Sequence, residues 1–226
     1  MKMTYRKAAF IGLWAGVIFA SCSSDEDMIT GKTLPQGKYP VAMTVSVESP
    51  IARSSVDGTW TNGEKVTVQA ITKTGDAYNW NDAASYPYEI NNDIPAASTK
   101  KETHYWQRSD ETKLMRAWHC ADGSTSNTLP DSWSVAADQN ETGNGYAESD
   151  LLFTAPVEVK FGSTADLIFY HQTARIIVNI KKTEGIDSAD QIQSVKIGDN
   201  NLALSGTYTA PSGTGVTTGT WLPGPM

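Results

Sequence analysis

The sequence predicts an all-β protein, an antiparallel β-sandwich, and three observations carry that expectation. Beyond Pro40 the apolar residues recur at every second position, which places successive side chains on opposite faces of an extended strand. The runs are short and are separated by Gly, Asn, Asp, Ser and Pro clusters, the residues that build turns. Only one short stretch, near Asp187–Ile192, offers a helix start, with Asp187 or Ser188 as the capping side chain.

Taken in order, Val41, Met43, Val45 and Val47 alternate with Ala42, Thr44 and Ser46 and give a first strand. Val66, Val68 and Ala70 give a second. Tyr86–Ile90, His104–Gln107 and Leu114–Cys120 follow as shorter runs. Val157, Val159 and Phe161, then Leu167–His171, and then Ala174, Ile176, Val178 and Ile180 continue the pattern. Ser194–Ile197 and Leu202–Leu204 close it. Strands of this kind are half buried, with one apolar and one polar face, as in packed antiparallel sheets. Asn91–Lys101 and Ala121–Gly145 are expected as loops, and the second is long for a compact domain.

The organisation around this region is also readable. Residues 1–21 have the form of a signal peptide. Lys2, Arg6 and Lys7 precede the apolar run Ala8–Ala20, which is too short to span a bilayer comfortably. Phe19-Ala20-Ser21-Cys22 resembles a lipobox, which implies cleavage between Ser21 and Cys22 and lipid on the Cys22 thiol. Phe19 departs from the usual aliphatic residue there. Each buried methylene contributes about 0.8 kcal/mol, so two or three acyl chains hold a protein firmly to a membrane where one does not. Residues 22–40 read as a polar tether beginning with the acidic cluster Asp25-Glu26-Asp27. That cluster is either a solvated linker or resembles the surface-export signal of Bacteroidota-type lipoproteins. A single sandwich domain is expected over 41–210. Residues 211–226, rich in Gly, Thr and Pro, are expected as a flexible tail without a closing strand, or as the start of a C-terminal domain that the chain lacks.

Composition excludes some functions. The formal charge is −7, and losing the basic residues of 1–21 leaves the remainder more acidic still, against a nucleic-acid partner. With Cys22 carrying lipid, Cys120 stands alone and no disulfide framework is available. His104, His119 and His171 share no metal-binding spacing, and His119-Cys120 would point to opposite faces of a strand. Asp138-Gln139-Asn140 starts like a calcium loop but has Ser149 where a bidentate Glu is needed. No nucleophile elbow or phosphate loop is present, so neither an enzyme nor a cofactor is expected. Trp80, Trp106 and Trp133 lie beside polar loops, and such rings can stack on sugars or plug the ends of a sandwich.

Three segments together resemble the Bacteroidota-type fimbrillin family, the type V pilins and their lipoprotein precursors. They are Ala52-Arg53-Ser54-Ser55 followed by Trp60-Thr61-Asn62-Gly63-Glu64-Lys65-Val66, then Ser149–Ala155, then Leu167–Ile180. The resemblance implies a transthyretin-like sandwich, export as an outer-membrane lipoprotein, and fimbrial assembly with other subunits by strand addition. It further implies that an Arg-specific protease cuts after Arg53. The strand Val41–Val47 would then leave, and a neighbour's strand would fill the groove. A surface glycan-binding lipoprotein using Trp80, Trp106 and Trp133, with host or glycan ligands, is the alternative.

Overall fold

The computed structural model describes residues 32–48, 60–74, 79–97, 100–120, 127–139, 145–174, 176, 178, 181 and 202–224. The expected helix near Asp187, the run Ser194–Ile197 and most of the run 174–180 lie outside them.

Eleven strands are described: β1 (Ala42–Val47), β2 (Lys65–Thr72), β3 (Ala84–Asn91), β4 (Ile94–Ala97), β5 (Thr112–Cys120), β6 (Ser132–Ser134), β7 (Leu151–Thr154), β8 (Val157–Lys160), β9 (Thr164–His171), β10 (Ser205–Thr209) and β11 (Thr220–Pro223). The expected all-β sandwich is what forms. Its large sheet runs β1-β9-β7-β5-β2-β3-β4, with β8 beside β5. The small sheet runs β11-β10-β6. All pairs are antiparallel except β1 with β9, which run parallel.

The large sheet curls until its ends meet, because Val45 N–H of β1 donates to Asp93 O in the β3–β4 turn at 3.0 Å. That turn is two residues long, with Asn92 and Asp93 at φ 52° and 60°, the backbone of a type I′ hairpin. Inside the curl lies the first core. Met43 and Val45, Val66 and Val68, Met115 and Ala117, and Leu167 and Phe169 point into it from four strands at strand spacing.

The opposite face of β5 and β7 carries a second core. Trp118, Cys120, Leu151 and Phe153 pack under the small sheet, which brings Tyr208 and, at its margin, Trp133 and Trp221. Tyr208 and Trp221 are register partners with ring centres 4.8 Å apart. A Cβ on Gly219 would come within 2.5 Å of the Tyr208 ring, so this position requires glycine.

β5 therefore lies between two cores and is buried on both faces from Lys113 to Trp118. Its ladder passes from β7 to β8 at Ala155-Pro156. Pro156 has no amide to offer, and Ala117 N–H instead donates to the Thr154 hydroxyl at 2.8 Å. β8 and β9 join through Phe161-Gly162-Ser163, where Gly162 takes φ +82°.

Three expectations are corrected here. The region from 211 is not strandless, since Thr220–Pro223 forms β11 and Trp221 packs against the second core. The loops 91–101 and 121–145 contain β4 and β6, strands of four and three residues that are too short to show a period. His104–Gln107 forms no full strand. It is an extended segment joined by isolated bridges, Pro40 with Tyr105 and Thr33 with Arg108.

Candidate functional site

The first strand and the strap before it form the candidate assembly edge. β1 aligns with β9 from Ala42 beside Thr164 to Val47 beside Phe169. Its alternation sends Met43 and Val45 into the first core, joined by Val41 just before it, while Ala42 and Thr44 face out. Glu48 N–H extends the ladder to Phe169 O at 2.8 Å. Thr44 donates its hydroxyl to the Asp166 carboxylate across the outer face.

Upstream, residues 32–41 lie antiparallel to 104–109. Val41 N–H donates to His104 O at 2.8 Å, Trp106 N–H to Tyr39 O at 2.9 Å, Leu34 N–H to Gln107 O at 2.8 Å, and Ser109 N–H to Lys32 O at 2.7 Å. The side chains repeat the pairing. Asp110 bridges Arg108 and Lys32, each at 2.9 Å, and these two cations hold its carboxyl well below the usual carboxylate range. The strap and β1 are thus one continuous ribbon, held on 104–109 at one end and on β9 at the other.

A buried ion pair braces the docking segment from below. Glu111 accepts from Gln107 N–H at 2.8 Å, from the Thr72 hydroxyl and from the Lys113 ammonium, which sits beside it. Burial works against its ionisation, but these donors together keep its carboxyl below the ordinary range. Lys113 also lies 5.6 Å from the Trp106 ring centre. His104 is buried, with Nε2 3.0 Å from Val68 O, and burial pushes its pKa down to about 4. Sequence reasoning missed this segment's role as the strap's partner. The one local signal was Glu111 just past the turn at 107–110, a carboxylate placed to accept the turn's free amides.

Ser21, Cys22 and Arg53 lie outside the described residues. The three tryptophans go to different surroundings. Trp106, 2 % exposed, belongs to the first core with Phe161 against its ring, so the reading of it as an exposed sugar platform is corrected. Its polar sequence neighbours point outward while the indole faces in. Trp133 packs at the second core and donates its indole N–H to Ser149 O at 2.9 Å. Trp80, half-buried, lies under the Arg116 guanidinium, 3.9 Å from its ring centre.

Arg116 is 4 % exposed and bonds Gln69 Oε1 at 2.7 Å and Pro211 O at 3.1 Å, and burial pushes its pKa down to about 10. The histidines all serve hydrogen bonds of the fold: His119 Nδ1 lies 2.8 Å from Lys65 O, and His171 Nδ1 2.9 Å from the Asp150 carboxylate. No helix of the described residues is long and apolar enough to cross a membrane.

No curated protein matches the chain. A family model described as fimbrillin-like matches residues 52–223, most of the chain and nearly all of the strands described above. The chain belongs to the fimbrillin-like family.

Proposed function

We propose that this protein is a non-enzymatic fimbrial subunit at the cell surface, tethered to the outer membrane through lipid on Cys22 and assembled by exchange of β1. The observation that carries the exchange is the seating of β1. It is a terminal strand of its sheet, and it fills the first core with one row of side chains, Val41, Met43 and Val45.

Burying a Val or Met side chain contributes about 1.5–3 kcal/mol, so a departing β1 leaves an apolar groove and an unpaired β9 edge. A strand from another subunit with the same alternation satisfies both. The family match begins at residue 52, beside Arg53, so β1 lies wholly upstream of it. Cleavage after Arg53 separates the ribbon 32–48 from the rest of the fold at the one covalent link on its C-terminal side.

Mass spectrometry of the N-terminus of protein from intact cells tests this. A start at Ser54, with lipid and β1 gone, is expected of a subunit built into a polymer. A start at acylated Cys22 in polymerised material would overturn the exchange and leave a lipid-anchored protein.

A further inference from the structure

We infer that the cleft beside the strap is a binding site for an acidic oligosaccharide. The cleft encloses about 1240 Å³, above the ~300–1,000 Å³ of common small-molecule pockets. It opens between the strap, the end of β2, the start of β3 and the turn at 100–107.

Its lining has the chemistry a sugar chain needs. Tyr86 and Tyr105 are half-buried, and Tyr86 is backed by His104 with ring centres 4.8 Å apart, which fixes a flat aromatic surface. Such rings pack on the C–H faces of pyranoses. Gln36 and Gln107 stand on the rim with exposed amides, able to donate to and accept from hydroxyls. Lys100 and Lys101 are exposed on the rim, and neither has a carboxylate partner among the described residues. Lys113 at the back is already neutralised by Glu111.

The acid on the lining, Asp82, accepts from the Asn79 amide at 2.7 Å. That amide is neutral and leaves the carboxylate charged, so Lys100 and Lys101 against Asp82 leave the lining one positive charge in excess, on a chain of formal charge −7. A neutral glycan has no use for the two ammoniums, whereas a carboxylated or sulfated one pairs with them. Gln36 belongs to the ribbon that carries β1, so one wall of the cleft would leave with that strand. This last coupling rests on the proposed exchange; the binding itself does not.

The test is a calorimetric titration of the purified full chain with oligogalacturonate of defined length, beside a neutral glucan of equal length. Saturable binding of the acidic probe is expected, with K100Q/K101Q weakening it by about tenfold or more and K65Q/K160Q, which removes two exposed lysines outside the cleft, leaving it unchanged. Gln36→Ala should weaken it by a smaller factor, with thermal melts of all variants matching the parent. Absence of binding, equal binding of the neutral glucan, or equal loss in both lysine pairs would overturn the assignment.

Discussion

β1 and β5 are both apolar strands of the same sheet, yet they are held in different ways. β5 lies in the middle, with a core against each face and two charged side chains, Lys113 and Arg116, enclosed among specific partners. β1 lies at the end, with one face in the core and Thr44 and Asp166 meeting in the open on the other. A strand fixed on both faces cannot leave without dissolving the domain. A strand fixed on one face can be replaced by any segment with the same row of side chains. The contrast separates the framework of this fold from the part that the proposed exchange would move.

The sharpest break in the comparison is Trp118→Ala, which opens the second core beneath the small sheet. A loss of about 3–5 kcal/mol is expected in urea unfolding, and a loss below that of Val45→Ala would contradict the framework role of β5. Lys113→Met should cost about 3 kcal/mol, because Glu111 is left buried without its cation, and adding Glu111→Leu should restore part of it.

Acidification probes the seat of β1 through His104. Its folded pKa of about 4 lies below the ordinary 6.5, so the unfolded chain binds the extra proton between those values. The contribution is fully present above about pH 6.5, falls by roughly 3 kcal/mol as pH drops towards 4, and is level below that. His104→Gln should flatten the stability profile in that window. Val45→Ala, which removes part of the β1 row, should cost about 2 kcal/mol. Thr44→Val should change stability by less than about 1 kcal/mol, since its bond to Asp166 is solvent-exposed. A larger effect there would mean that the outer face of β1 also anchors it.

The sequence was most legible where one face is buried. Met43 and Val45, Val66 and Val68, and Leu167 and Phe169 alternate with polar residues because a single core reads every second position. The run Leu114-Met115-Arg116-Ala117-Trp118 loses that alternation because two cores read it at once. Arg116 could not be recognised as buried, since Gln69 and Pro211, which receive it, are remote in sequence. Trp221 looked like a tail residue because Gly, Thr and Pro dominate the sequence around it, and a strand of four residues leaves no period to detect. In the candidate site, the β1 side was visible in the sequence. The strap's antiparallel partner at 104–109 was not, because the backbone bonds that join it leave no mark in the sequence and the Lys32–Asp110 bridge links residues remote in the chain.

The parallel alignment of β1 with β9 also has a mechanical meaning. In a parallel pair, the start of one strand and the end of the other face away from each other. A pull applied between the tether before β1 and the chain leaving β9 would slide the two strands along one another. All six aligned positions would then share the load together. An antiparallel pair pulled at the start of one strand and the end of the other, which lie side by side, would open one bond at a time. The direction of this single strand therefore suits the fold to holding tension along its length, and under the proposed exchange a cut chain, rather than a stretched one, would free β1.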